Sequence, residues 1–186
     1  MRCFIAISLP DSIHNKLSEI QTRLKKYNAD IGWTRPEGIH LTLKFLGEIS
    51  EDKIPPLKVI MEQVSANQTP FELEIGSTGM FPDARRPRVF WVGISQGIEQ
   101  ITKLANQLDT QISELGFPKE ERKFNPHLTL GRVRSPKNLP AVTNYFLEET
   151  HLRLGKITVE HISLYQSILK SSGAEYIALV QSHFKN

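Results

Sequence analysis

The chain has 186 residues, 39% of them apolar, and its 23 lysines and arginines against 20 acidic residues leave a formal charge of +3. That length suits one medium domain or two small lobes sharing a seam, and no segment approaches the roughly 18 consecutive apolar residues that a membrane helix needs. The single cysteine, Cys3, excludes an intrachain disulfide and any zinc site built on several thiolates, so a cytoplasmic protein is expected.

Cys3, Ile5, Ile7 and Leu9 alternate with Arg2, Phe4, Ala6 and Ser8, which is strand periodicity, and the apolar run is too short for a secretory signal. Ile13, Leu17, Ile20 and Leu24 then follow helical spacing, with Asp11 placed to cap. Trp33 to Pro36 form a short extended approach to a strand over residues 39–46. Ile54, Leu57, Ile60, Met61 and Val64 mark a second helix, and Phe71, Leu73 and Ile75 another strand. Beyond a loop rich in Gly, Pro and Arg, residues 89–94 are apolar throughout and read as a buried strand. Ile98, Ile101, Leu104, Ala105, Leu108, Ile112 and Leu115 give the clearest helix, closed by Gly116 as a left-handed cap. A strand from His127 to about 134 comes next, then a weaker helix from Ser135-Pro136 that holds Val142, Tyr145 and Phe146. Two closing strands, over 157–165 and 176–180, form a hairpin about Gly173.

The most informative feature is a tetrapeptide that occurs twice, as His40-Leu41-Thr42-Leu43 and His127-Leu128-Thr129-Leu130. Residues two apart on a strand share a face. His40, Thr42 and Lys44 therefore project to one side and Leu41, Leu43 and Phe45 to the other, where a core can take them; His127 and Thr129 likewise oppose Leu128 and Leu130. By the same parity Arg132 points away from His127, and a bulge or strong twist is needed to bring it to a shared ligand. Shifting the chain by the 87 positions that separate the two histidines also lays Lys16-Leu17 on Lys103-Leu104 and Ile7 on Ile94. With the order strand, helix, motif strand, helix, strand appearing twice, the pattern reads as a duplication about a pseudo-twofold axis, which brings both histidines to one cleft.

Two imidazoles and two hydroxyls around one small anion can split a phosphate ester without a metal. One neutral ring takes a proton from attacking water, and the other, protonated, gives one to the departing oxygen. The threonine hydroxyls hold the non-bridging oxygens as charge shifts there. In-line displacement puts the rings on opposite sides of phosphorus, too far apart to bond each other. Basic residues support an anionic partner: Arg85, Arg86 and Arg88 lie together, and Lys119, Arg122, Lys123, Arg132, Arg134 and Lys137 surround the second motif against only Glu120 and Glu121. Phe45, Phe81 and Tyr165 are stacking candidates for a nucleobase, with core packing as the competing reading. His14, His151, His161 and His183 have no partner pattern and read as structural or exposed. Phosphate-binding glycine loops and the His-Glu-x-x-His zinc motif are absent from the sequence, so neither ATP nor a metal is expected as a requirement.

The paired tetrapeptides and their flanks resemble the 2H phosphoesterase superfamily, and within it the RNA 2′,3′-cyclic phosphodiesterases, also called 2′-5′ RNA ligase-like proteins. The matching stretches are Arg2-Cys3-Phe4-Ile5-Ala6, Trp33-Thr34-Arg35-Pro36-Glu37-Gly38-Ile39 before the first motif and Lys44-Phe45-Leu46-Gly47 after it, Phe81-Pro82 to Trp91-Val92-Gly93, Phe124-Asn125-Pro126 and Gly131-Arg132 around the second motif, and Ser163-Leu164-Tyr165-Gln166-Ser167. The resemblance implies an α+β fold of two pseudo-twofold-related lobes, each an antiparallel sheet backed by helices, with the active-site groove between the sheets. Residues 1–186 are then one domain built from two duplicated lobes. Strand and helix alternation alone points instead to parallel pairing. The resemblance further implies hydrolysis of RNA 2′,3′-cyclic phosphate ends to 2′-phosphate ends. His40 is then the proton donor and His127 the acceptor, with Thr42 and Thr129 beside them and Arg132 on the phosphate. Lys44, Phe45 and Tyr165 complete the substrate-binding candidates. A monomer acting on RNA without a cofactor is expected. The alternatives are a ligase, in which the same histidines join a 2′,3′-cyclic end to a 5′-hydroxyl, and an RNA-binding protein without catalysis.

Overall fold

The strands form two antiparallel sheets, and the order of the chain interleaves them. The structure, a computed structural model, describes residues 1–171 and 173–185. One sheet contains β1 (Arg2–Ile7), β3 (Leu41–Glu48), β8 (His161–Lys170) and β9 (Gly173–His183), in the order β3-β1-β8-β9. The other contains β2 (Ile31–Trp33), β4 (Phe71–Phe81), β5 (Val89–Gln96), β6 (His127–Val133) and β7 (Arg153–Val159), in the order β2-β6-β5-β4-β7. Every pairing is antiparallel, so the α+β reading holds and the parallel one does not.

Four helices cover the sheets: α1 (Asp11–Lys25), α2 (Ile54–Ala66), α3 (Ile98–Ser113) and α4 (Leu139–Glu148). Their partners are crossed. α1 follows β1 but packs on β7 of the other sheet, and α3 follows β5 but packs on β3, while α2 covers β8 and β9 and α4 covers β4. β4, from the first half of the chain, likewise sits in the second sheet, and β8, from the second half, in the first. With β2 and β9 placed likewise, each half hands a helix and two strands to the other, so neither sheet is built from one repeat alone. Ile5, Leu17, Leu41, Ile101 and Leu128, all fully buried, belong to one continuous apolar cluster.

The structure corrects several local expectations. The segment over 157–165 is two strands in different sheets, because β7 ends at Val159 and β8 begins at His161. Asp11 is the first helical residue of α1, after Pro10 at the N-cap and with no side-chain cap, so its carboxylate acts only on the helix dipole. The fourth helix begins at Leu139, later than Ser135. β5 is not buried throughout: Val89 and Trp91 are half-exposed where they face the groove, between the buried Phe90 and Val92.

Trp91 lies across its strand partner Gly79, where an added Cβ would stand 2.2 Å from the indole Cζ2. Gly79→Ala is expected to cost about 1–3 kcal/mol, the usual range for overpacking, with the melting temperature and denaturation midpoint as the readouts. Unchanged stability would mean that the indole can move off the sheet.

Candidate active site

Each motif histidine stands at the entrance to its strand. His40 follows a 3₁₀ turn (Pro36–Gly38) and precedes β3, whereas His127 is the first residue of β6. The residue before each, Ile39 or Pro126, is buried and pins the approach. His40 Nδ1 donates to the Gly38 carbonyl at 2.8 Å, and His127 Nδ1 donates to the Asn125 carbonyl at 2.7 Å. A carbonyl can only accept, so in both neutral rings the proton is on Nδ1 and Nε2 carries the lone pair. The same two-residue clamp at both motifs fixes ring orientation and tautomer together. His14, read from the sequence as structural or exposed, supports the first clamp by donating through Nε2 to the Ile39 carbonyl at 3.0 Å.

Aromatic rings close around both imidazoles. Phe4 stacks on His40 at 4.4 Å and 17°, and Tyr176 meets it edge-on at 5.0 Å. Tyr165 extends the stack on Phe4 at 5.5 Å. Burial drives the His40 pKa down to about 4, against the opposing pull of the Gly38 carbonyl. Phe81 meets His127 edge-on at 4.9 Å, with Trp91 also beside it. Burial lowers the His127 pKa too; the Asn125 carbonyl opposes that shift and the Arg132 charge adds to it. Burial therefore favours the neutral form of both rings in the free protein.

Two β-bulges decide what else reaches the groove. In β3, Ile5 pairs with Lys44 and Ala6 with Thr42, so Leu43 is an extra residue; in β6, Phe90 pairs with Gly131 and Trp91 with Thr129, so Leu130 is extra. Leu43 and Leu130 are equivalent under the repeat, and each bulge reverses the facing of the residues C-terminal to it. Arg132 is thereby returned to the side of His127, and the parity that aimed it away is overturned. Arg132 lines the same cavity as Thr42 and His127, one residue from each motif.

The same bulge corrects the expectation for Lys44 and Phe45. Lys44 is turned off the His40 face: its side chain is 2% exposed, its Nζ lies 2.6 Å from the Asp109 carboxylate, and it donates to the Pro118 carbonyl at 2.7 Å. Phe45, a residue 59% exposed, faces the groove instead of the core. Thr42 and Thr129 are half-buried, and neither hydroxyl has a hydrogen-bond partner among the described residues. Phe4, Trp91 and Tyr176 were not singled out from the sequence. The first two were within reach, since the 87-residue shift that superposes the motifs also lays Phe4 on Trp91.

β3 and β6 come into contact across the seam between the sheets. A cavity of about 820 Å³ opens there, with Thr42, His127 and Arg132 in its wall. It runs past Phe45 and Phe81 to α3 and the loop carrying Arg122 and Lys123. Among the described residues, no three His, Cys, Asp or Glu side chains converge as a metal-ligand set. Among the described residues, no helix is long and apolar enough to cross a membrane.

The family model for LigT like phosphoesterases matches the chain twice, over residues 7–91 and 92–176. An RNA 2′,3′-cyclic phosphodiesterase of Archaeoglobus fulgidus is 34% identical, with 95% of this chain and 96% of that protein aligned. One of Methanothermobacter thermautotrophicus is 33% identical, with 95% of each aligned. Among solved structures, TT0787 of Thermus thermophilus superposes with a TM-score of 0.83 at 29% identity, covering 99% of this chain and 98% of that one. Escherichia coli LigT complexed with 3′-AMP gives 0.80 at 26% identity, covering 100% and 98%. The doubled motif, the crossed sheets and these matches agree: the chain belongs to the LigT-like phosphoesterases, a family of 2H phosphoesterases.

Proposed function

We propose that this chain hydrolyses RNA 2′,3′-cyclic phosphate ends to 2′-phosphate ends by acid–base catalysis with two histidines and no metal. The single observation that carries the reading is the matched clamp on the imidazoles, Nδ1 tied to the carbonyl two residues upstream and Nε2 left for chemistry. His127 accepts the proton of the attacking water as its oxygen bonds to phosphorus. His40, protonated, donates to the ribose 3′ oxygen as the P–O3′ bond breaks. Thr42, Thr129 and Arg132 receive the non-bridging oxygens. Because the cyclic diester carries one negative charge, two hydroxyls and a guanidinium are adequate to neutralise it. The relatives named as RNA 2′,3′-cyclic phosphodiesterases support the substrate class.

The test is incubation of the protein with an RNA bearing a 2′,3′-cyclic end, in the presence of chelator, with phosphorus NMR of the product. A 2′-phosphate is expected; a 3′-phosphate would reverse the leaving group, and loss of turnover on chelation would overturn the metal-free mechanism.

The burial of the rings sets the pH profile. The profile of kcat/KM reports the acid and base of the free enzyme, and burial holds His40 at about 4 and His127 below its ordinary value. The bell should therefore centre below about pH 6, on the acid side of a pair of unperturbed imidazoles near 6.5. Rising pH removes the proton that the acid needs, so activity falls towards neutrality. An optimum above pH 7 would show that neither ring is desolvated as described.

A further inference from the structure

We propose that the cavity beside His127 is a subsite for the nucleotide adjoining the cyclic end, so that the enzyme prefers oligonucleotide ends to free cyclic mononucleotides. The inference rests on the phosphodiesterase reading and adds a length requirement to it. At about 820 Å³ the cavity lies near the upper end of the roughly 300–1,000 Å³ of small-ligand pockets, far beyond what one phosphate centre occupies. Thr42, His127 and Arg132 account for its catalytic wall, and the rest is different in kind.

Arg88, Arg122 and Lys123 line it, all exposed, and none has a carboxylate within salt-bridge distance among the described residues. The two acids in the same wall are already engaged: Asp109 lies 2.6 Å and Glu120 3.6 Å from the Lys44 ammonium. The field of the cavity is therefore cationic, with the exposed ring of Phe45 and the half-buried Phe124 beside the charges. Unpaired cations interleaved with aromatic faces are what a single nucleic-acid strand uses, phosphates on the cations and bases on the rings. A cyclic mononucleotide has no internucleotide phosphate to offer them.

The experiment compares adenosine 2′,3′-cyclic phosphate with di- and triadenylates ending in the same group, for the wild type and for an Arg122→Ala/Lys123→Ala variant, at low and moderate salt. In the wild type at low salt, kcat/KM should rise about tenfold or more from the mononucleotide to the dinucleotide. The log–log salt slope should steepen by about 0.7 for each phosphate engaged. The double variant should erase that gain and leave mononucleotide turnover unchanged. Equal kcat/KM for the two lengths at low salt, or a variant that lowers both alike, overturns the subsite and leaves the phosphodiesterase reading standing. Turnover of neither substrate by the wild type defeats that reading, and the subsite with it.

Discussion

His40→Ala and His127→Ala should each lower kcat on a cyclic phosphate end by about 10²–10⁴, the usual worth of one positioned acid or base. The two losses should not add: once one proton transfer has failed, the other ring has little left to accelerate, so the double variant should be only slightly worse than either single one. Their effects on stability should differ. His40 sits between Phe4 and Tyr176, and its removal leaves a void that those rings cannot easily fill, whereas His127 has only edge-on and tilted neighbours. His40→Ala should therefore melt lower than His127→Ala, and each should remain folded by circular dichroism. Near-normal turnover in either variant would remove its histidine from the pair.

The repeat was legible because it is written in side-chain identity, and four residues repeated in order need no three-dimensional information. The two sheets interleave for a reason that periodicity does not carry. Alternation says that residues 71–75 form a strand, but not that β4 crosses to the sheet of β5 or that β8 returns to that of β1. Register is the second blind spot. Strict period-two parity put Lys44 beside His40 and turned Arg132 away, and one extra residue at Leu43 and at Leu130 inverts both conclusions. A bulge at an apolar residue has no composition signature, yet the repeat held a clue: the 87-residue shift that superposes the motifs also lays Phe45 on Arg132, an exposed aromatic on an exposed cation. Such a pair at equivalent positions is poorly explained by core packing. The carbonyl clamps on the imidazoles belong to backbone geometry and could come only from coordinates.

Lys44 yields the second large effect, one of stability. Its ammonium is buried at the join of β3, α3 and the loop after α3, where Asp109 also receives the Glu120 backbone N–H at 3.2 Å. Asp109→Ala removes the closest anion and leaves the charge with the Pro118 carbonyl and with Glu120, 3.6 Å away and 55% exposed. Breaking a buried pair from one side typically costs about 3–5 kcal/mol, because the surviving ion stays desolvated. We expect a loss towards the lower end of that range, since Glu120 can swing closer. Lys44→Met should cost less, because the carboxylate it strands is partly exposed and keeps its backbone donor. Combining Lys44→Met with Asp109→Ala should recover part of the loss of Asp109→Ala alone, as no buried charge then remains. Denaturant unfolding of the three variants checks this ordering, and a double variant less stable than Asp109→Ala would show that the pair does more than neutralise a buried cation. The loop tied down by this pair leads on to Asn125, whose carbonyl holds His127. Asp109→Ala should therefore lower turnover as well as stability, although among the described residues Asp109 has no hydrogen bond or ion pair to either motif histidine.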